Sequence, residues 1–208
     1  MHAELAVLGG GPGGYAAAFR AADLGMNVTL IEQRKRLGGV CLQEGCIPSK
    51  ALLHAAGLLR QAEEATEWGI GFGEPDVDLD ALRRRKQKVL DTLMEGLAGL
   101  AKARKVKVVC ARGRLTSSSE LALDGEGLDD DRVQFDRLIL ATGSRAARPG
   151  PFAIDSDRVM TSQEALDLAD VPKRLLVVGA GYIGLEMGTV YAALGSEVTL
   201  VEMLDRVL

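Results

Sequence analysis

Two cysteines five positions apart, Cys41 and Cys46, stand in the stretch LGGVCLQEGCIPSKALLH over residues 37–54, in a chain that has only three cysteines. In a regular helix this spacing gives about 7.5 Å of axial rise. A disulfide needs Cα atoms about 4.4–6.8 Å apart. The pair can therefore bridge only where the backbone departs from helix, and Gly45 supplies that freedom.

Pro48 fits the first turn of a helix that begins close to these cysteines. A thiolate near such a helix start is stabilised by the helix dipole, which favours reactivity. A bridge between Cys41 and Cys46 would close so short a loop that it adds little stability. The pair is therefore better suited to redox chemistry than to holding the fold.

Two other interpretations of the cysteines stay open at this point. A zinc site needs more ligands than Cys110, His2 and His54 can supply, and buried structural cysteines need no chemistry at all. Cys110, inside VKVVC, is predicted to be a core residue. His54 is predicted to be a packing or surface residue of a helix rather than a base.

The elements that position these residues include one segment that occurs twice. Residues 4–33 and 174–203 align without a gap at an offset of 170 and share 12 of 30 residues. Each copy predicts a buried strand, a glycine-rich turn, a helix and a second strand, which together form a βαβ unit. The turns have the pattern G-x-G-x-x-G, with Gly9, Gly11 and Gly14 in the first copy and Gly179, Gly181 and Gly184 in the second.

In such a turn the glycines permit a tight bend, close approach of a pyrophosphate and close helix packing, and the helix N-terminus holds the anion. Each second strand ends in an acid, Glu32 or Glu202, which can accept hydrogen bonds from ribose hydroxyls. Glu202 would repel a 2′-phosphate, so the second unit is predicted to prefer NAD to NADP.

Helices are predicted over residues 41–65 and 78–105. Four short segments with strand-like alternation follow, VKVVC, GRLTS, ELALD and RVQFD, and they predict a small β excursion. An apolar strand at 138–141 then leads into Thr142 and Gly143, a turn that can touch a nucleotide a second time. The fold class is therefore α/β, with two Rossmann-like units.

Composition and net charge argue against some classes of function. The formal net charge of −4 argues against a nucleic-acid binder, and the basic run Arg83–Lys86 is predicted to be a solvated helix face. The first residues lack a signal peptide and no window is long and apolar enough for a membrane span. These features predict a cytoplasmic protein.

The two nucleotide units with GGVCLQEGCIPSK between them resemble the disulfide-dependent flavoprotein reductases, and CLQEGCIPSKALLH with GAGYIGLEMGTVY is similar to the dihydrolipoamide dehydrogenase branch of that family. The resemblance covers essentially the whole chain. It implies an FAD-binding domain over residues 1–150 and the beginning of an NAD-binding domain over 151–208, with the C-terminal interface domain absent.

The resemblance also implies roles for individual residues. Cys41 and Cys46 would form the redox disulfide, with Cys41 exchanging with substrate and Cys46 facing the flavin. Residues implied to contact FAD are Gly9, Gly11, Gly14, Glu32, Lys50, Gly113, Ala141, Thr142 and Gly143. Residues implied to contact NAD are Gly179, Gly181, Ile183, Gly184 and Glu202.

The implied reaction oxidises dihydrolipoamide, carried by the lipoyl domain of 2-oxo acid dehydrogenase complexes, and reduces NAD⁺ in a homodimer. Members of the family are more than twice this length, so the chain is expected to be an N-terminal fragment that cannot turn over by itself. A mercuric or glutathione reductase, or a non-catalytic flavin-binding module, are the alternative interpretations.

Overall fold

The structure, a computed structural model, describes all residues from Met1 to Leu208. Its strands are β1 (His2–Leu8), β2 (Val28–Glu32), β3 (Lys107–Cys110), β4 (Arg112–Ser117), β5 (Glu120–Asp124), β6 (Arg132–Leu140), β7 (Arg174–Val178) and β8 (Glu197–Val201). Its helices are α1 (Pro12–Asp23), α2 (Gly39–Glu44), α3 (Cys46–Glu64), α4 (Leu79–Ala103), α5 (Ser162–Asp167) and α6 (Tyr182–Ala193), with 3₁₀ helices at Ala65–Trp68 and Gly150–Phe152.

These elements divide into two compact units that interleave along the chain. Unit 1 contains residues 1–43 and 91–145, and unit 2 contains residues 44–90 and 146–208. Residues 44–90 pack with the second nucleotide unit, and the division into nucleotide-binding domains at residue 150 stays a prediction. A local sequence pattern marks where a βαβ unit begins, but it does not show which unit an intervening helix packs against.

Unit 1 is built on a six-stranded sheet of order β3-β2-β1-β6-β5-β4. The pairs β1–β2, β1–β6 and β2–β3 are parallel, with Leu5 opposite Val28 and Val7 opposite both Leu30 and Ile139. All five residues of β2 are buried, as expected for a central parallel strand covered on both faces. The parallel-dominated sheet confirms the predicted α/β class.

The core of unit 1 lies on both faces of this sheet. On one face β1, β2 and α1 meet in a cluster that includes Val7, Ala18 and Leu30, each 0% exposed. On the other face the antiparallel strands contribute Leu121 and Val133, also fully buried. The helix α1 ends at Asp23 with Leu24 as its C-cap, and Gly25 follows with φ of +87°, a conformation that favours glycine.

The predicted β excursion is present, with two differences. VKVVC forms β3, which pairs in parallel with β2 and so belongs to the nucleotide-binding sheet. RVQFD and the apolar segment from residue 138 form one continuous strand, β6, which pairs with β5 at its start and with β1 along most of its length. The excursion is therefore β4 and β5, and the chain returns to the parallel sheet without a turn.

Unit 2 contains the second βαβ segment, with β7 and β8 paired in parallel and α6 between them. The helix α6 begins and ends 170 residues after α1, which confirms the repeat in three dimensions. A core cluster packs α3, α5 and α6 together and includes Leu52, Leu166, Met187 and Tyr191. None of the helices has both the length and the apolar character needed to span a bilayer.

The prediction that the basic run at Arg83–Lys86 is wholly solvated is wrong. Lys86 is 8% exposed and its ammonium donates to the carbonyl of Leu166, while the Arg83 guanidinium donates to Leu168 O at 2.5 Å. Burial lowers the pKa of Lys86, an effect that outweighs the opposing influence of Asp167. These two cations satisfy carbonyls at the end of α5, because that helix ends without enough backbone donors of its own.

Candidate functional site

The glycine-rich turn of unit 1 lies at the carboxyl end of β1. Gly9 has φ of +109°, and its N–H donates to Ile31 O at 2.8 Å. A Cβ at Gly9 would lie 2.1 Å from Ala141 O, and one at Gly14 would lie 1.7 Å from Gly9 O. Only glycine fits either position, as the motif predicts.

The start of α1 leaves room for an anion. Gly11 is the N-cap residue, and no side chain accepts a hydrogen bond from the first turn. Pro12 has no N–H, and the Gly14 N–H donates to Gly11 O at 2.9 Å, so Gly13 carries the N–H of the first turn that has no intrahelical acceptor. Because Gly13 has no side chain, that donor is accessible to a pyrophosphate.

The acid at the end of β2 is tied to the same turn. Glu32 is 7% exposed and accepts hydrogen bonds from the N–H groups of Gly10, at 2.6 Å, and Arg34, at 2.8 Å. A carboxylate has about four acceptor positions, so two backbone donors leave capacity for ribose hydroxyls. Glu32 therefore fixes the turn and is also placed to bind a ligand.

Other predicted FAD contacts of unit 1 converge on this edge of the sheet. Ala141 N donates to Leu8 O at 2.8 Å, which continues the pairing of β6 with β1. A Cβ at Gly113 would lie 2.6 Å from the Leu8 side chain. Thr142 and Gly143 follow Ala141 and are exposed, and Gly143 has φ of +71°.

Unit 2 repeats the turn in a more open setting. Gly179 has φ of +103° and donates to Val201 O at 2.9 Å, as Gly9 does to Ile31. Gly181 is the N-cap of α6 without a side-chain acceptor, and a Cβ at Gly184 would lie 2.0 Å from Gly179 O. Ile183, in the first turn of α6, is 49% exposed.

Glu202 reproduces the role of Glu32. Its carboxylate accepts from Ala180 N at 2.7 Å, Met203 N at 2.8 Å and Leu204 N at 2.9 Å. The hydrogen bonds from Ala180 and then Leu204 lower the pKa of Glu202. The carboxylate is therefore held ionised, the form that accepts hydrogen bonds from ribose and repels an added phosphate.

The backbone breaks between the two cysteines as the sequence requires for a bridge. Helix α2 ends at Glu44, α3 begins at Cys46, and Gly45 has non-helical angles of φ −146° and ψ −113°. Cys46 is exposed and Cys41 is half-buried, and both are thiols in the structure. Pro48 lies in the first turn of α3, as predicted.

The structure adds Glu186, a residue that sequence reasoning missed. Its carboxylate pairs with the ammonium of Lys50 at 2.5 Å within unit 2. Burial acts to raise the pKa of Glu186, but hydrogen bonds from Lys50 and Ser49 outweigh it and the net pKa is lowered. The two residues are 136 positions apart, so no local pattern could have paired them.

Two more polar residues were singled out in the sequence: the prediction for Cys110 is wrong, and the prediction for His54 is confirmed. Cys110 is exposed at the end of β3, with its thiol 3.6 Å from Arg34 O, so the prediction of a core residue is wrong. Alternation along an edge strand turns its last residue outward. His54 is exposed on α3, as a surface residue should be.

The family profile described as "Pyridine nucleotide-disulphide oxidoreductase" matches residues 3–208. The chain belongs to the pyridine nucleotide-disulphide oxidoreductase family. This assignment agrees with the two dinucleotide turns and with the cysteine pair that stands between them in the sequence.

Among curated relatives, the chain is 49% identical to a dihydrolipoyl dehydrogenase of Vibrio cholerae serotype O1 over 208 residues, which are all of this chain and 44% of the relative. It is 47% identical to that of Vibrio parahaemolyticus, again over 44% of the relative. It is 49% identical to that of Haemophilus influenzae over 205 residues, which are 99% of this chain and 43% of the relative. The chain thus spans less than half the length of these relatives.

Proposed function

We propose that the protein to which this chain corresponds is a dihydrolipoyl dehydrogenase, which oxidises the dihydrolipoamide of a lipoyl domain and reduces NAD⁺. One observation carries the proposal. The chain has two dinucleotide turns of the same geometry, and a backbone N–H of each turn donates a hydrogen bond to the acid of the same unit, Glu32 or Glu202. The same chain has a C-x4-C motif whose second cysteine, Cys46, begins α3. The names of the similar relatives support the choice of dihydrolipoamide as substrate.

Unit 1 fits FAD by its own chemistry. The tight turn forms because Gly9 and Gly14 have no Cβ to clash with the backbone, and a pyrophosphate can approach it because Gly11 has no side chain and the Gly13 N–H has no intrahelical acceptor. Glu32 has acceptor capacity for the adenosine ribose, and Gly113 and Ala141 border the same edge. Unit 2 offers the matching set for NAD around Gly181 and Glu202.

The cysteine pair performs the exchange with substrate. One thiolate of dihydrolipoamide attacks the Cys41 sulfur of the Cys41–Cys46 disulfide, and Cys46 leaves as a thiolate. The second substrate thiol then attacks the mixed disulfide and releases Cys41. Two electrons and two protons pass from the substrate dithiol to the cysteine pair, and lipoamide leaves as a disulfide.

FAD, when bound, supplies the two-electron chemistry that connects a dithiol to a nicotinamide. Lys50, four residues after Cys46, is held by Glu186 at 2.5 Å, so its ammonium has a fixed direction on α3. Glu202 selects NAD over NADP because a 2′-phosphate would lie against an ionised carboxylate.

Two alternatives are distinguished by specific features. Another disulfide reductase of the family, of the mercuric or glutathione type, would share the cysteine motif. The glutathione type, however, presents basic residues for NADP where this chain has Glu202. A non-catalytic flavin-binding module would hold FAD without a reactive disulfide. The isolated 208-residue chain is expected not to turn over, since the relatives are more than twice as long.

Thiol counting on the FAD-loaded chain tests the proposal. The air-oxidised protein should expose one reactive thiol, from Cys110, and treatment with dihydrolipoamide should raise the count to three. The visible spectrum should at the same time gain a long-wavelength band. Cys46→Ser should remove that band and the two-thiol gain.

Cys110→Ser is the matched control, because it also removes one exposed cysteine. It should lower both counts by one and leave the gain of two unchanged. Three reactive thiols before reduction would contradict the redox pair. A yellow protein whose thiols never change would instead support the non-catalytic module.

Nucleotide choice is tested at Glu202. Glu202→Ala should weaken NADH binding, measured by quenching of nucleotide fluorescence, far more than NADPH binding, because only NADH has a free 2′-hydroxyl on the adenosine ribose for the carboxylate to hold. Equal losses for the two nucleotides would contradict the assignment of unit 2 to NAD.

A further inference from the structure

A groove in unit 1 lies between the loop after β2, the second half of α4 and the edge strand β3. Its volume is about 420 Å³, within the range of about 300–1,000 Å³ that is usual for small-molecule sites. Every residue that lines it belongs to unit 1, and none of them is assigned to FAD or NAD by the family resemblance. The groove is therefore a separate feature of this unit.

The floor of the groove is apolar. Met94 and Ala101 line it from α4, because positions i and i+7 of a helix lie on the same face. Leu37 of the loop and Val106, just before β3, complete the floor, and all four residues are at most 7% exposed. Leu37, Ala101 and Val106 also belong to the core cluster of unit 1. Because the core packs beneath it, the floor is formed before any ligand binds.

The rim of the groove is mostly cationic. The charged residues that line the groove are Arg34, Lys35, Arg36 and Lys102, with Glu95 as the one acid. Arg36 pairs with Asp91 at 2.5 Å, which ties the loop to α4. Lys35 and Lys102 form no ion pair within the chain. Two ammonium groups at the rim are therefore available to an anion from outside.

We propose that this groove binds a medium-chain fatty acid, with the alkyl chain on the apolar floor and the carboxylate at the cationic rim. An alkyl chain has no polar group that would lose its hydrogen bonds on such a floor. A carboxylate is attracted by a rim on which four cations face one acid. An inorganic anion would leave the floor uncovered, and a neutral alkane would leave the lysines unpaired. This inference goes beyond the proposed function and does not depend on the redox chemistry.

Cys110 reports whether the groove is occupied. This residue lines the groove, and its thiol is exposed and lies 3.6 Å from Arg34 O. A bound fatty acid should therefore slow the reaction of Cys110 with iodoacetamide. Peptide mass spectrometry measures that rate at Cys110 alone, so reactions of Cys41 and Cys46 do not interfere.

Isothermal titration calorimetry and Cys110 alkylation test the proposal on the full chain with excess FAD. The ligands are acetate, hexanoate, octanoate and decanoate, up to about 5 mM, a range chosen for small ligands. Affinity should rise by up to about fourfold for each methylene that enters the groove, and Cys110 should be protected as the site fills. 1-Octanol, which has the chain of octanoate without its charge, should bind about twofold to fivefold more weakly. Sodium chloride should weaken octanoate more than 1-octanol.

Ala98→Glu tests the location, because Ala98 lines the groove on α4. A carboxylate placed beside the alkyl chain should weaken decanoate binding at least about tenfold. Ala103→Glu is the matched control, since Ala103 is exposed on the same helix and does not line the groove. It should change the affinity by less than about twofold. Both variants should keep the circular dichroism spectrum, because glutamate favours helix.

The rim charges should act with opposite signs. Lys102→Gln should weaken decanoate about twofold to fivefold, and Glu95→Gln should strengthen it by a smaller factor. Lys107→Gln is the control for Lys102→Gln, because Lys107 is an exposed cation on β3 outside the groove, and it should have no effect.

Three results would overturn the proposal. Decanoate that binds no more tightly than acetate would show an adventitious ion only. Decanoate that binds without protecting Cys110, or that Ala98→Glu and Ala103→Glu weaken equally, would lie elsewhere on the chain. Decanoate that competes with FAD would occupy the nucleotide site instead of the groove.

Discussion

The two glycine-rich turns have the same local hydrogen bonds but different surroundings. In unit 1 Gly9 is enclosed, with the Ala141 carbonyl where a Cβ would stand, whereas a Cβ at Gly179 in unit 2 would meet no atom within 4 Å. The acid of unit 1, Glu32, is buried, and Glu202 is only half-buried. A local motif can thus set a backbone turn without setting how tightly the turn is packed.

The physical cause of the difference is β6. In unit 1 this strand pairs with β1 and delivers Ala141 against the turn. Within residues 1–208 the sheet of unit 2 consists of β7 and β8, and no strand among these residues lies against its turn as β6 does in unit 1. The comparison predicts that equivalent substitutions in the two units will lower the stability of the protein by unequal amounts.

The largest difference is expected for alanine at the first glycine of each motif. Gly9→Ala combines left-handed strain with a Cβ 2.1 Å from Ala141 O, so it should destabilise unit 1 by about 4 kcal/mol or more. Gly179→Ala has the strain alone and should cost about 1–3 kcal/mol. Urea unfolding measured by circular dichroism would compare the two. Equal losses of stability for Gly9→Ala and Gly179→Ala would show that the Ala141 carbonyl does not constrain the turn.

A smaller difference is expected at the acids. Glu32→Ala leaves the N–H of the buried Gly10 without its acceptor, which should cost about 1–3 kcal/mol. Glu202→Ala should lower the melting temperature less, because water can reach the donors that its half-buried carboxylate now satisfies. Thermal melts of both variants with no nucleotide added would measure this, and a larger loss for Glu202→Ala would reverse the interpretation.

The smallest effect concerns pH. The Ala180 and Leu204 N–H groups lower the pKa of Glu202 below its ordinary value of 4.5. A carboxyl whose folded pKa is lowered contributes stability that is complete above the unfolded pKa and is lost as pH falls through the folded pKa. The stability difference between the wild type and Glu202→Gln should therefore shrink below about pH 4.5.

Carbon-13 NMR of the glutamate carboxyls would check the titration directly. The Glu202 signal should titrate below the ordinary glutamate value in the folded protein and return to that value in concentrated urea. A folded-state titration at or above the ordinary value would show that the backbone donors do not hold the carboxylate.

Much of the candidate site was predictable because its determinants are local. The tight turns at Gly9 and Gly179 and the placement of Glu32 and Glu202 at strand ends follow from short motifs. The helix predicted over residues 41–65 is instead two helices that meet at Gly45, where a disulfide would require the break. The outward direction of Cys110 was missed because an apolar segment does not tell which strand lies at a sheet edge. The hydrogen bonds that Arg83 and Lys86 donate to backbone carbonyls were missed, because a run of basic residues does not indicate which carbonyls lie near it in the fold.

The sequence by itself determined the two βαβ units, their glycine turns and the spacing of the cysteine pair, since each depends on residues close together in the chain. Only the tertiary structure decided that Ala141 closes the first turn, that Glu186 holds Lys50, and that residues 44–90 join unit 2. These features join residues far apart in sequence, and their contacts exist only after the sheet order and helix packing have formed.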